Sequence, residues 1–102
     1  MNIEDLRKLC NDENIQMTAH VLKRCRERNF TLDEIISCIL NGDVIETYPD
    51  DYPFPSSLVL ECKIGNPIHV VAGIGNNKLW IITAYYPDPK HWHNDYKTRK
   101  EH

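Results

Sequence analysis

The most regular hydrophobic pattern in the chain lies at residues 32–40. Leucine and isoleucine recur there at i, i+3, i+4, i+7 and i+8, which predicts an α-helix with one apolar face. Thr31 and Glu34 begin this segment with the pattern of a capping box, in which each side chain accepts a hydrogen bond from the other residue's backbone amide. Gly42 predicts a left-handed stop after Asn41.

Two shorter helices are predicted before this one. Residues 3–10 carry apolar side chains at helical spacing, which predicts a first helix. A second helix begins after Thr18, whose hydroxyl group can cap it, and ends near Asn29. The apolar side of this second helix consists of Val21, Leu22 and Cys25.

The pattern changes from helical to extended at Asp43. Four strands are predicted, at residues 43–48, 57–63, 67–74 and 78–86. Prolines between the first two strands predict a loop, and the sequences IGN (64–66) and GNN (75–77) predict hairpin turns. This order of elements predicts an α+β domain in which short N-terminal helices cover one face of a roughly four-stranded antiparallel sheet.

Length and hydropathy favour one soluble domain. We predict a single domain over residues 1–102, whose last residues, 94–102, form a flexible tail. No apolar run approaches the roughly 18 residues that span a bilayer, and the N-terminal segment lacks the basic start and apolar run of a secretory signal. We therefore predict a cytoplasmic protein with no membrane partner.

Charge and cysteine spacing argue against several classes of protein. A formal net charge of -3 is unlike that of a protein that coats nucleic acid, which is usually basic. The cysteines are widely separated, which fits neither C-x-x-C zinc ligands nor a compact disulfide framework. We interpret them as small buried thiols in a reducing compartment: Cys10, Cys25, Cys38 and Cys62.

Cationic side chains are concentrated in the second predicted helix despite the negative net charge. The segment TAHVLKRCRER (18–28) holds one histidine, one lysine and three arginines, with Glu27 as its one acid. Because a helix advances by about 100° per residue, His20, Arg24 and Arg28 fall on one stripe beside the apolar side. Arginines four residues apart repel each other slightly unless an anion lies between them.

A phosphodiester is an anion that suits this stripe. Arg24 and Arg28 are candidate phosphate-binding residues, because a guanidinium group matches phosphate oxygens in a bidentate way. His20 is a candidate general acid or base for attack by an RNA 2′-hydroxyl group, because an imidazole exchanges a proton near neutral pH. The alternative is a solvated face whose arginines pair with acids such as Glu27.

Three segments together resemble a known family. They are MTAHVLKRCRERNFTLDEIISCILNGDVIETYP (17–49), IHVVAG (68–73) and WIITAYYPDPKHW (80–92). A T-x-H-x-x-x-R-x-x-x-R helix, a helix ending in N-G-x-V/I-I-E and a terminal Y-x-P-D-x-x-x-W make this combination similar to a small bacterial domain family. That family is grouped with the RelE/ParE-like toxin superfamily of mRNA interferases. The resemblance covers about residues 17–92.

The resemblance implies a RelE-type fold and the role of toxin in a type II toxin–antitoxin pair. It also implies RNA as a partner, and a cognate antitoxin that often carries a zinc finger or a helix-turn-helix. The candidate catalytic residues that it supports are His20, Arg24, Arg28, His69, Tyr85 and Tyr86. The terminal motif also matches Pro87, Asp88 and Trp92.

Strand alternation separates some of these candidates. His69 is predicted to lie on the open sheet face if the residues on either side of it face the helices. Tyr85 and Tyr86 point to opposite faces, so at most one of them can join His20 in a site. A structural histidine and an aromatic pair that closes the core edge are the alternatives. Trp80, in the middle of the last strand, is predicted to belong to the core.

Two further segments have both a site interpretation and a structural one. His91 and His93 have the spacing of two metal ligands, but only Asp88 and Asp95 stand near them, and we expect no metal. The loop ETYPDDYPFP (46–55) mixes acids with aromatic residues, which suits either docking of a basic antitoxin segment or packing over the sheet edge.

These patterns together predict an endoribonuclease that needs no cofactor and leaves a cyclic phosphate end. Two alternatives stay open. A non-catalytic module that binds an anion or a nucleic acid would tolerate loss of His20. A protein-interaction domain without nuclease activity would tolerate loss of all three charges of the stripe.

Overall fold

The computed structural model describes residues 2–63 and 66–100. In this part of the chain the elements are α1 (Ile3–Lys8), β1 (Ile15–Met17), α2 (Ala19–Glu27), α3 (Leu32–Asn41), β2 (Asp43–Tyr48), β3 (Ser56–Lys63), β4 (Asn66–Gly75) and β5 (Lys78–Tyr85). Among the described residues, no helix has the length and apolar character that a membrane span requires.

The described strands form one sheet in the order β1-β5-β4-β3-β2. β1 runs parallel to β5, and the other neighbouring pairs are antiparallel. The predicted α+β architecture is confirmed, but the predicted sheet of four antiparallel strands is wrong, since a fifth strand adds a parallel pair. With three residues, β1 is too short to show the alternation that identifies a strand in a sequence.

Side-chain caps confirm the predicted starts of the second and third helices. Thr18 Oγ1 accepts a hydrogen bond from the backbone amide of Val21 at 3.2 Å. Thr31 and Glu34 form the predicted capping box, with both side chain to backbone hydrogen bonds at 3.1 Å. These bonds satisfy amide groups that the first turn of a helix leaves unpaired.

Gly42 ends α3 in a different way from the prediction. Its φ of -88° is extended and not left-handed, because the chain passes directly from α3 into β2. A Cβ atom there would lie closer than 3.0 Å to the carbonyl oxygens of Cys38 and Leu60. Close backbone packing, and not a left-handed turn, therefore requires this glycine. The left-handed conformation occurs instead at Asn29, with φ 60°, just after α2.

The core lies between the helices and one face of the sheet. Leu6 of α1 and Ile35 and Ile39 of α3 are almost completely buried there. The sheet contributes Val59, Ile68, Val70, Ala72, Leu79, Ile81 and Ala84. Alternate residues of the central strands thus face the helices, as strand geometry requires.

Several residues that were predicted to be buried are exposed, among them Leu32 and Leu40 of the predicted apolar face of α3, which are 42% and 44% exposed. Leu22 is 42% exposed, whereas Val21 and Cys25 of the same helix are buried as predicted. Cys62 is exposed near the end of β3, whereas Cys38 is buried, and burial raises the pKa of the Cys38 thiol to about 12. Apolar neighbours in sequence therefore do not decide burial, because adjacent residues point in different directions.

Two non-helical segments cover the second face of the sheet. Phe54, in the loop after β2, packs against Trp80 with ring centroids 5.9 Å apart. Residues 91–100 fold back on themselves, and Trp92 pairs with Arg99 in an isolated β-bridge. The predicted flexibility of residues 94–102 stays a prediction, and its last two residues lie outside the described residues.

One of the two predicted hairpin turns can be described fully. Asn76 and Asn77 have φ values of 54° and 60°, the left-handed conformation that a two-residue turn between antiparallel strands favours. The other predicted turn, IGN, includes residues 64 and 65, which lie outside the described residues.

We expect Gly42→Ala to lower the free energy of unfolding by about 1–3 kcal/mol, because the added methyl group must displace backbone atoms of two elements. Urea unfolding followed by circular dichroism measures this change. Leu40→Ala is the control, since Leu40 is 44% exposed and its loss should change stability by about 0.5 kcal/mol or less. Equal stability of the two variants would contradict the packing role of Gly42.

Candidate functional site

A cleft with cationic walls lies between α2 and β5. It has a volume of about 270 Å³. We call it the α2 cleft, and its lining residues are His20, Val21, Arg24, Arg28, Ile82, Thr83 and Ala84. The three residues of the predicted cationic stripe therefore line one and the same cavity.

The packing of α2 on the sheet decides which side chains line the α2 cleft. Val21 and Cys25 are buried against β5, and His20 and Arg24 each precede one of them by one position. At about 100° per residue, the preceding residue lies at the border of the buried side. The helix thus brings its cationic stripe to the junction with β5.

The end of β5 forms the other wall of the cleft. β1 pairs with β5 only as far as Ile81. Ile82 then forms a bulge, since Ala72 pairs with Ile81 while Val71 pairs with Thr83. Bulges re-aim side chains and interrupt pairing, and they are frequent beside functional sites. In the described part of the sheet, the α2 cleft is therefore bordered by the part of β5 that follows its last pair with β1.

Arg24 and Arg28 differ in their contacts. Arg24 lies 3.9 Å from a carboxylate oxygen of Glu27, in a pair whose two side chains are each about half exposed. An exposed pair of this kind contributes at most about 1 kcal/mol, so a phosphate group can replace it at little cost. Arg28 Nη1 donates a hydrogen bond to the carbonyl oxygen of Ala84 at 2.7 Å. A guanidinium group has five N–H donors, so this bond holds Arg28 in place and leaves the remaining donors for a ligand.

A second cluster of candidate residues surrounds His69 on the other face of the sheet. His69 is fully buried. Its Nε2 lies 2.8 Å from the carbonyl oxygen of Tyr96, which can only accept, so Nε2 carries the proton. Its Nδ1, 3.2 Å from the Tyr85 hydroxyl oxygen, then accepts a hydrogen bond from that group. Burial lowers the pKa of His69 and raises that of Tyr85, which favours the neutral form of both.

An ion pair closes this cluster from outside. Arg99 donates hydrogen bonds to both carboxylate oxygens of Glu46, with Nε to Oε2 at 2.9 Å and Nη2 to Oε1 at 3.1 Å. The Arg99 guanidinium also lies 4.6 Å from the centre of the Trp92 ring, which contacts His69 edge-on. Burial acts to raise the pKa of Glu46, but hydrogen bonds from Arg99 and Tyr48 outweigh it and the pKa falls.

The structure thus separates five of the six candidate catalytic residues into two groups. His20, Arg24 and Arg28 share the α2 cleft, while His69 and Tyr85 pair on the opposite sheet face. The open face predicted for His69 is covered by residues 91–100. A catalytic role for His69 and Tyr85 stays a prediction, and the geometry gives them no place in the α2 cleft.

Tyr86 lies apart from both groups. Its ring stacks on Phe30, with centroids 4.5 Å apart, just beyond the end of α2. The prediction that at most one of the two tyrosines joins His20 fits this arrangement, because Tyr85 faces His69. Tyr86 is 47% exposed and does not line the α2 cleft.

The histidines of the HWH segment have local contacts. His91 Nδ1 lies 2.9 Å from Oδ2 of Asp88. The other carboxylate oxygen, Oδ1, accepts hydrogen bonds from the backbone amides of Lys90 and His91. These hydrogen bonds, above all the one with the His91 side chain, lower the pKa of Asp88. Among the described residues, no cluster of three or more histidine, cysteine, aspartate or glutamate side chains could hold a metal ion.

The structure has a second, larger cavity next to the α2 cleft, which the sequence did not predict. It has a volume of about 590 Å³, and we call it the aromatic cavity because Tyr52, Phe54 and Trp80 line it. The prediction that Trp80 belongs to the core is wrong, since its side chain is only partly buried, lines this cavity and lies outside the buried cluster of the core. The signal was available in the alternation of β5, where Leu79 and Ile81 occupy the core side.

A comparison with protein families matches residues 17–86 to a domain of unknown function, DUF4258. The chain belongs to this family. The matched segment of the DUF4258 domain contains all six candidate catalytic residues and both walls of the α2 cleft. It leaves α1 and the segment that covers His69 outside. Neither the curated proteins nor the solved structures contain a match to this chain.

We expect folding stability to fall as the pH drops from 7 to 5, in part because of His69. Its pKa is lowered in the folded state, so below its ordinary value of about 6.5 the unfolded chain binds more protons and is favoured. The contribution of His69 to the free energy of unfolding is therefore present in full above about pH 6.5, and it is lost as the pH falls below that value.

Urea unfolding at a series of pH values, with the wild type and His69→Gln, tests this. The variant should show a shallower fall between pH 7 and 5, because glutamine does not titrate and the other four histidines of the sequence are the same in both proteins. Parallel curves for the two proteins would rule out this role of His69.

Proposed function

We propose that this domain is the toxin of a type II toxin–antitoxin pair and acts as a metal-independent endoribonuclease. The observation that carries the proposal is the α2 cleft, in which two arginines and an imidazole line one cavity at the surface. The resemblance to RelE/ParE-like toxins supports the same assignment, because its helix motif falls on these three residues.

The proposed chemistry begins with a phosphodiester bound between Arg24 and Arg28. Their guanidinium groups neutralise the phosphate and stabilise the extra negative charge of the transition state. His20 transfers a proton, either from the attacking 2′-hydroxyl group or to the departing 5′-oxygen. The 2′-oxygen forms a new bond to phosphorus as the bond to the 5′-oxygen breaks. The products are a 2′,3′-cyclic phosphate and a 5′-hydroxyl end, and no cofactor takes part.

The membership of the RelE/ParE-like superfamily, the antitoxin partner and the cytoplasmic location belong to the same proposal. They are supported by the resemblance and by the order of helices before a sheet. An antitoxin with a zinc finger or a helix-turn-helix remains the expected partner.

A second candidate function is a non-catalytic module that binds RNA or another anion. The observation that favours it is the lining of the α2 cleft, where His20 is the one side chain of a type that commonly serves as a general acid or base. Full acid–base catalysis uses two proton carriers, so a second one would have to be water or an RNA group.

We expect the purified protein to cleave single-stranded RNA in the presence of EDTA and to leave cyclic phosphate ends. His20→Ala should reduce the cleavage rate by roughly 100-fold or more and leave RNA affinity nearly unchanged, because a general acid or base is lost but the arginines remain. Arg24→Gln should weaken RNA binding by roughly tenfold, because a charged hydrogen bond to phosphate is lost. Gel-based cleavage, end mapping and fluorescence anisotropy measure these quantities.

Arg26→Gln is the matched control for the arginine variant. Arg26 is exposed on the same helix but does not line the α2 cleft, so this change alters net charge equally and should affect RNA binding much less. Equal weakening by Arg24→Gln and Arg26→Gln would remove the case for a specific phosphate site. RNA binding without cleavage, unchanged in His20→Ala, would select the non-catalytic module.

A further inference from the structure

The aromatic cavity has the size and the lining of a small-molecule site. Its volume of about 590 Å³ lies within the range of about 300–1,000 Å³ that is common for such sites. Tyr52, Phe54 and Trp80 supply aromatic surface, and Asp51 and Asn76 supply polar groups. Tyr52 is 93% exposed, so its ring is free to contact a ligand.

Two of the aromatic walls are held in place by packing. Trp80 Nε1 donates a hydrogen bond to the carbonyl oxygen of Gly75 at 3.0 Å. Phe54 lies over Gly75 so closely that a Cβ atom there would overlap its ring. Walls that are fixed before binding lose little conformational entropy when a ligand enters. The cavity is therefore suited to a flat, rigid ligand that stacks on them.

The aromatic cavity and the α2 cleft adjoin each other. His20, Val21 and Ile82 line both of them. Arg24 stands four residues, about 6 Å, beyond His20 along α2. A ligand that spans the border thus meets aromatic rings on one side and a guanidinium group on the other.

The charges across this border select one kind of ligand. Asp51 at the aromatic end accepts a hydrogen bond from Ser56 Oγ at 2.6 Å and, as a carboxylate, disfavours an anion there. Arg24 and Arg28 at the other end attract an anion. The ligand must therefore carry an anion at one end and a planar group with hydrogen-bond donors at the other. A nucleotide has both parts, joined by a ribose that would lie beside His20.

We infer that the aromatic cavity is the base-binding subsite for a nucleotide of single-stranded RNA whose phosphate group occupies the α2 cleft. The inference rests on the proposed function, since it takes the phosphate site from there. It adds a substrate class: an unpaired nucleotide, because a base must leave its helix to reach the cavity. Stacking on aromatic side chains is the usual way in which proteins hold such bases.

Three small probes separate the base site from the phosphate site. Adenosine carries the base and the ribose, ribose 5-phosphate carries the ribose and the phosphate, and AMP carries all three. Each is titrated into the whole protein labelled with nitrogen-15, and amide and indole N–H shifts are recorded. Trp80 has an indole N–H at the aromatic cavity, and that of Trp92, buried on the other part of the sheet, serves as the internal reference.

AMP should shift both the Trp80 indole signal and the amides of residues 24–28, which report on the α2 cleft because Arg24 and Arg28 line that cleft alone. Ribose 5-phosphate should shift only the α2 amides, and adenosine should shift mainly the Trp80 signal. AMP should bind roughly tenfold more tightly than ribose 5-phosphate, since stacking of one base contributes a factor of this order. Tyr52→Ala should remove most of that advantage without affecting the fold, and Leu40→Ala, remote from the cavity, should keep it.

The possible outcomes distinguish the two proposals. Equal affinity for AMP and ribose 5-phosphate, with the Trp80 signal unmoved, overturns the base subsite and leaves the phosphate site intact. Shifts at Trp80 without any at α2 overturn the phosphate site and with it the link between the two cavities. An AMP advantage that Tyr52→Ala does not reduce overturns the assignment of the base to the aromatic cavity.

Discussion

The burial of Val21 and Cys25 against β5 fixes the geometry on which the candidate site depends. These two side chains set the rotation of α2 about its own axis, and a helix has no freedom to turn one residue outward without turning its neighbours. Because His20 and Arg24 precede them by one position, they come to the junction between helix and sheet. There, both side chains are exposed to solvent and line the α2 cleft, which suits the capture of a ligand.

The cationic groups at this junction matter because the net charge of the protein is negative. An acidic surface repels polyanions at long range, and screening at physiological salt confines that effect to about 8 Å. Within that distance, the local set of cationic groups decides whether an anion binds. A cleft with two guanidinium groups and one imidazole can therefore hold a phosphate on a protein whose overall charge is negative. Its association with RNA would be slower than that of a strongly basic protein.

The cluster around His69 has the features of a structural element. The histidine is buried, both ring nitrogens have hydrogen-bond partners, and Trp92 and the Arg99–Glu46 pair cover it. A histidine of this kind joins the C-terminal segment to the sheet. A catalytic role for His69 stays a prediction of the family resemblance, and the environment of His69 separates it from the α2 cleft.

The sequence by itself determined the three helices, two of their caps, the four longer strands and the cationic stripe. Each of these depends on residues a few positions apart, whose geometry is set by the period of a helix or a strand. It did not determine the parallel strand β1, which is too short to show a period. It also did not show why a glycine is required at position 42, because that requirement comes from contact with the distant residue Leu60.

Only the tertiary structure decided which candidates share a site. Strand alternation predicted an open face for His69 and opposite faces for Tyr85 and Tyr86, but the burial of His69 depends on residues 91–100, which return from far along the chain. The aromatic cavity likewise joins α2, the loop after β2 and β5, which are distant in sequence. Contacts of this kind arise from the packing of whole elements, so no local pattern of residues predicts them.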